Sequence, residues 1–385
     1  MSDDEAFDSA AVFAGEDVDG SRVPCVFGSP GRYAQGEGVL DHLGRYLSIL
    51  PSRRAAVLIS EGGQVRLGER ITDSLNRVGI EMVVEMFGGE CSISEIDRVT
   101  GALRKTSGAV DCVIAVGGGK CLDAGKCIAS RLSIPIVVCP TIASTDAPTS
   151  ALSIVYTDEG AFSGIEFFPQ NPSLVVVDTR VIADAPVRYL VAGMGDAVST
   201  YYEARTCFRN PNARTALGGR VTLAANAIAQ LCAETIYDHG SEAAAALERG
   251  EVSEAVERVV EANTLLSGVG FESGGLAAAH AVATALTIIP EVHASVLHGE
   301  MVAIGVLTQL VLEKDVDEYE RALALFKKLG LPVRLGEIGL DADRDAEALK
   351  TVASVAVGIP IIGNEPFEVT AGDIHAAMLE VDGHA

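Results

Sequence analysis

Between residues 23 and 185 short runs of β-branched and aliphatic residues alternate with stretches of helical periodicity. Residues 55–60 (AAVLIS), 81–86 (EMVVEM), 112–116 (CVIAV) and 134–139 (IPIVVC) read as strands. Residues 68–78, 94–103 and 123–131 read as the helices between them. Strands that are apolar throughout, alternating with helices, predict a parallel sheet covered on both faces. Residues 153–156 and 174–177 add two strands, with a turn at Asp158-Glu159-Gly160 between them. After residue 185 the pattern becomes Ala-rich and helical, at 186–205, 215–233, 241–248, 254–266, 275–287, 301–312 and 318–328. The expected architecture is an α/β Rossmann-like parallel-sheet domain over 23–185 and an all-α domain over 186–385. Ligands commonly sit in the cleft between two such layers. Residues 1–22 form an acidic tail expected to lack fixed structure, with seven acids and no base in the first 21 residues.

Composition narrows the function classes. Of 385 residues 48% are hydrophobic and 21% charged, which excludes a largely disordered chain. The net charge of −24 argues against nucleic acid and anionic membranes as partners. Only seven of the 29 basic residues are lysines. That bias fits a salt-adapted source and equally a GC-rich genome. Eight cysteines are scattered without a CxxC pair, which predicts reduced thiols and a cytoplasmic protein. Neither a signal peptide nor a membrane span is expected.

Three features carry candidate chemistry. Gly117-Gly118-Gly119-Lys120 follows an apolar strand and precedes a helix. Such glycines let the backbone approach a phosphate at a helix N-terminus, or simply make a tight strand–helix turn. Asp123 caps that helix or touches a cofactor. The loop 140–150 (PTIASTDAPTS) sets hydroxyls and Asp146 between two prolines. It lines a ligand crevice or satisfies its own backbone as ordinary turn chemistry. Asp196, His280 and His298 are the third feature. Two imidazoles and a carboxylate suit zinc with an open position, whereas a helical histidine among alanines also fits a core. His293 reads as a surface or supporting residue.

Several runs together carry a resemblance: FGSPGRYAQGEGVLDHLGRYL, FGGECSISEIDR, AVGGGKCLDAGK, PTIASTDAPTSALSIVYTDEG, GMGDAVSTYYEA, EANTLLSGVGFESGGLAAAHAVA and HGEMVAIGVLTQLVLE. From about residue 26 to 330 the chain resembles the glycerol dehydrogenases of the metal-dependent, iron-containing-type alcohol dehydrogenase superfamily. The resemblance implies the dehydroquinate synthase-like fold of that superfamily. It implies zinc, with ferrous iron as the alternative, on Asp196, His280 and His298. It implies NAD over Gly118, Gly119, Lys120 and Asp123, with Thr141, Ser144, Ser150, Leu152 and Tyr156 around it. Asp146 matches the substrate-binding aspartate, the one residue assigned to catalysis. Glu61 matches an aspartate for the adenosine ribose, where a carboxylate favours NAD over NADP.

The implied reaction is oxidation of glycerol to dihydroxyacetone by hydride transfer from C2. The implied assembly is a homo-oligomer, often an octamer. Alternatives within the fold are another polyol dehydrogenase and a sn-glycerol-1-phosphate dehydrogenase, for which Arg205 and Arg209 are the available cations. A dehydroquinate synthase is disfavoured by the STDAP loop, and a non-catalytic nucleotide-binding protein by retention of all three ligands. The chain departs from the family at Ala283, where a second histidine is common, at Ser295-Val296-Leu297, where aromatics are common, and at Met301 in place of a lysine. These departures bear on which polyol fits.

Overall fold

The computed structural model describes residues 7–13 and 23–384. Its strands are β1 (Tyr33–Gly36), β2 (Arg54–Ile59), β3 (Glu81–Met86), β4 (Cys112–Gly117), β5 (Ile136–Pro140), β6 (Leu152–Tyr156), β7 (Phe162–Phe167) and β8 (Leu174–Asp178). Six of them form one parallel sheet in the order β1-β8-β5-β4-β2-β3. The helices of this half are α1 (Ser9–Phe13), α2 (Leu43–Tyr46), α3 (Glu61–Asn76), α4 (Ile93–Lys105), α5 (Gly119–Leu132) and α6 (Thr179–Ala183). Side chains of a strand point alternately to the two faces. Accordingly Val57 and Ile59 pack with Leu67 and Ile71 of α3, while Ala56 and Leu58 pack with Ile96 and Val99 of α4. That is the doubly covered parallel sheet the apolar runs predict.

The second half is helical: α7 (Val187–Arg209), α8 (Leu223–Glu248), α9 (Glu254–Glu261), α10 (Ser267–Gly274), α11 (Ala278–Leu286), α12 (Pro290–Ser295), α13 (His298–Glu313), α14 (Val316–Leu329), α15 (Ala346–Gly358) and α16 (Ala371–His384). A π-helical turn, Ala262–Leu266, joins α9 to α10. The longest apolar cluster lies here, around α7, α8, α11 and α13.

Three expectations differ from the structure. The turn at 158–160 leads into β7, which pairs antiparallel with β6 outside the main sheet. β7 alternates exposed and half-buried residues, so it lacks the continuous apolar signature. Residues 223–248 form one helix where a break was expected near Gly240. A Cβ at Gly240 would lie 3.2 Å from Met194 Sδ, so this glycine serves helix packing rather than termination. Within the acidic N-terminal segment, Ser9–Phe13 is helical rather than unstructured, and Ser9 Oγ donates to Ala216 O at 2.8 Å. The rest of that expectation, residues 1–6 and 14–22, lies outside the described residues. All eight cysteines are unpaired, and only Cys25 is exposed. Among the described residues no helix is long and apolar enough to cross a membrane.

Candidate active site

Three helices bring the predicted ligand residues together, and glycines permit it. A Cβ at Gly299 would lie 1.8 Å from Ala192 O, and one at Gly305 2.2 Å from Ala279 O. Only glycine lets the backbone of α13 approach α7 and α11 this closely. Asp196 on α7, His280 on α11 and His298 at the start of α13 therefore converge, each offering one ligand atom within 4.8 Å of the others. Both imidazole Nε2 atoms face Asp196 Oδ1, at 3.4 Å from His280 and 3.5 Å from His298. That oxygen is buried and makes no hydrogen bond. A buried carboxylate oxygen without a donor is costly. A cation shared with the two nitrogens removes that cost, so this donor set fits a divalent metal.

Glu203, two helical turns after Asp196, fixes His280. Its Oε2 lies 2.6 Å from Nδ1, and its Oε1 accepts the backbone N–H of Ala277 and His280. With Nδ1 engaged, Nε2 is the atom presented to the cleft.

Across the cleft, β4 runs into Gly118, which caps α5, and the adjacent strand β5 runs into the loop 140–150. The two loops touch: Thr141 N donates to Gly117 O at 2.9 Å, and a Cβ at Gly118 would lie 2.9 Å from Ile142 Cδ1. Lys120 pairs with Glu90 at 2.6 Å and lies over the Tyr156 ring. Asp146 N donates to Asp196 Oδ2 at 3.3 Å, and Ser267 Oγ donates to the Asp146 carboxylate at 3.2 Å. Asp146 thus adjoins the three-ligand cluster. Burial, reinforced by the Asp196 charge, holds its carboxyl well above the ordinary range. Asp196 is also buried, but the imidazoles of His298 and His280 outweigh that and hold it below the ordinary range.

A model of the iron-containing alcohol dehydrogenase family matches residues 30–179. A glycerol dehydrogenase of Escherichia coli O6:H1 is 45% identical over 358 residues, covering 92% of this chain and 95% of that one. The chain belongs to the iron-containing alcohol dehydrogenase family, in its glycerol dehydrogenase branch. The solved glycerol dehydrogenase of Schizosaccharomyces pombe superposes with a TM-score of 0.88 at 38% identity, covering 93% of this chain and 90% of that one. A glycolaldehyde reductase of Halobacterium salinarum is 41% identical over 360 residues, covering 93% of this chain and 97% of that one.

Within this family fold the remaining site residues take distinct places. Glu61 is exposed at the first position of α3, where β2 ends beside β4. Thr141, Leu152 and Tyr156 are half-buried, and Ser144 and Ser150 are buried. Asp123 is buried with its carboxylate engaged by Lys126 Nζ and Ile154 N. His293 Nε2 is hydrogen-bonded with Gly160 O at 2.7 Å, tying α12 to the β6–β7 turn. Ala283 is fully buried in the helical core. Arg205 is paired with Glu313 and Asp315, so it is no free phosphate ligand.

Sequence reasoning missed Lys126, Glu203 and Glu272. Glu203 lies seven residues after Asp196 on one helix, a spacing that puts both on one face. Lys126 stands at i+3 from Asp123. Glu272 is the one acid in the small, apolar run 265–283.

Proposed function

We propose that the chain oxidises glycerol to dihydroxyacetone with NAD, using zinc held by Asp196, His280 and His298. Residues 23–185 would bind the dinucleotide and 186–385 the metal. The observation that carries this reading is the orphaned Asp196 Oδ1 facing two imidazoles beside Asp146, in a chain 45% identical to a glycerol dehydrogenase. When bound, the metal lowers the pKa of a coordinating hydroxyl and NAD accepts the hydride.

The chain's own residues supply placement. Asp146 takes a substrate hydroxyl by hydrogen bond, and Ser267 holds its carboxylate in place. The triglycine turn and the N-terminus of α5 receive the pyrophosphate through backbone N–H groups. Lys120 stands beside them as a cation, with Thr141, Ser144, Ser150, Leu152 and Tyr156 lining the cofactor loop. Glu61 accepts from the adenosine ribose and repels a 2′-phosphate. The C2–H bond breaks with its electron pair, the hydroxyl proton leaves to solvent, and the ketone forms. Glycerol and NAD⁺ thereby give dihydroxyacetone, NADH and H⁺.

A second reading uses the same site in the opposite direction, with glycolaldehyde, NADH and a proton from solvent giving ethylene glycol and NAD⁺. The 41% identity to the Halobacterium protein favours it. A substrate panel decides. Glycerol, 1,2-propanediol and sn-glycerol-1-phosphate are tested with NAD⁺, and glycolaldehyde with NADH, at low and high salt. The highest kcat/KM with glycerol supports the first reading. A higher kcat/KM with glycolaldehyde replaces it with the second.

A further inference from the structure

The segment Ala147–Ile154 leaves the loop that carries Asp146 and returns toward the cofactor side as β6. Two buried charges hold it from opposite directions. Lys126 comes from α5, with its side chain 1% exposed. Its ammonium donates to Ala147 O at 2.6 Å, Leu152 O at 2.8 Å, Asp123 Oδ1 at 3.1 Å and Ser150 Oγ at 3.2 Å. Three N–H groups are thus spread over four acceptors. Glu272 comes from α10 in the helical half and is 1% exposed. Its Oε1 accepts Ala151 N at 2.6 Å, and its Oε2 accepts Asn171 Nδ2, which also donates to Thr149 O. Asp123 completes the grip from the α5 side, its Oδ2 accepting Ile154 N at 3.1 Å.

Lysine and glutamate are seldom buried unless paired, because desolvation costs each several kcal/mol. Apolar residues could fill the same volume but could not fix the direction of these peptide groups. The carbonyls of Ala147 and Leu152 point to Lys126, and the N–H of Ala151 points to Glu272. That fixes the path of the chain one residue after Asp146 and through Ser150 and Leu152.

We propose that Lys126 and Glu272 are positioning residues, a two-sided charge clamp that sets the Ala147–Leu152 segment so that Asp146 meets the substrate and Ser150 and Leu152 meet the cofactor. The clamp spans both halves of the molecule, so it also fixes the cleft width at this loop. Its catalytic consequence rests on the proposed dehydrogenase reading, whereas its effect on the loop does not.

The test compares Lys126→Met, Lys126→Arg, the double variant Asp123→Asn/Lys126→Met, Glu272→Ala and Glu272→Gln. In the unloaded protein, hydrogen exchange at Ala151, Leu152 and Ile154 should rise about tenfold in Lys126→Met and Glu272→Ala. NADH binding, followed by its fluorescence, should weaken in the same variants. KM for glycerol should rise more than kcat falls, with kcat/KM down roughly tenfold or more.

Removing the lysine alone leaves Asp123 buried and unpaired, which lowers Tm for a purely structural reason. The double variant removes that charge as well. It should recover Tm while exchange at Ala151 and Leu152 stays impaired. Glu272→Gln keeps an acceptor for Ala151 N and should recover most of what Glu272→Ala loses. Unchanged exchange in Lys126→Met and Glu272→Ala would overturn the clamp. So would a double variant that recovers exchange at Ala151 and Leu152 together with Tm. Because exchange and NADH binding need no glycerol turnover, inactivity of the wild type on glycerol would count against the proposed function and leave these outcomes decisive for the clamp.

Discussion

Glu203 and His280 form a buried pair, with Oε2 2.6 Å from Nδ1 and the two residues on neighbouring helices α7 and α11. The same carboxylate accepts two backbone N–H groups at the start of α11. One side chain therefore fixes both the helix end and the orientation of the ring, so that Nε2 faces Asp196. Glu203→Gln should weaken metal retention about 10–100-fold, the usual effect of losing such a carboxylate behind a histidine ligand. Zinc content after dialysis against a graded chelator measures it. Wild-type retention in Glu203→Gln would remove the positioning role.

The close approach of α13 to α7 makes a second prediction. A Cβ at residue 299 would lie 1.8 Å from Ala192 O, and the obstacle is backbone rather than a movable side chain. Gly299→Ala should cost about 1–3 kcal/mol or more, as overpacking does, and should displace the adjacent His298. Denaturant unfolding and zinc content should therefore fall together. Full stability in this variant would contradict the helix contact.

Glu272 gives a pH dependence. Burial, set against its hydrogen bonds from Ala151 and Asn171, pushes its carboxyl up to about 7 from the model-peptide value of 4.5. A raised acid means that the folded state holds the proton more tightly than the unfolded chain. Its contribution to stability is complete below pH 4.5 and is lost as pH rises through about 7. Glu272→Gln cannot titrate, so it should gain stability relative to wild type over that interval. Urea unfolding of both proteins across this range checks the sign. A difference that stays flat would refute the raised carboxyl.

Glu61 stands exposed where β2 meets α3, beside the strand that feeds the triglycine turn. On the proposed cofactor placement, Glu61→Ser removes a ribose acceptor and a charge that repels a 2′-phosphate. The NAD over NADP preference in kcat/KM should fall roughly tenfold, the size of one net hydrogen bond. Steady-state kinetics with both cofactors tests it, and an unchanged ratio would move the ribose contact elsewhere.

The sheet was legible in the sequence because a parallel strand buried on both faces must be apolar throughout, as residues 112–116 and 174–177 are. β1 (YAQG) and β7 (FSGIEF) were not, since each lies at an edge or outside the sheet and is only partly buried. The helices beyond residue 330 were expected only as part of an all-α domain and were not delimited one by one. In the candidate site, Asp196, His280 and His298 were readable from residue type either as a ligand set or as core residues, and the resemblance favoured the ligands, because residues 84 and 18 apart in the chain carry no local spacing signal. Lys126 and Glu272 were hidden for a different reason. A charge in a helix reads as solvated until tertiary structure buries it, and both are buried against backbone groups distant in sequence.

Metal-dependent polyol oxidation at the Asp196, His280 and His298 cluster can be tested on the protein itself. The most direct measurement follows glycerol-dependent NADH formation in protein stripped of metal by a chelator and then reloaded with zinc, with zinc content determined at each step. Activity should be lost on stripping and recovered on reloading toward one zinc per chain, with neither bound zinc nor recovery in Asp196→Ala. Undiminished activity in zinc-free protein, or stoichiometric zinc binding by Asp196→Ala, would contradict it.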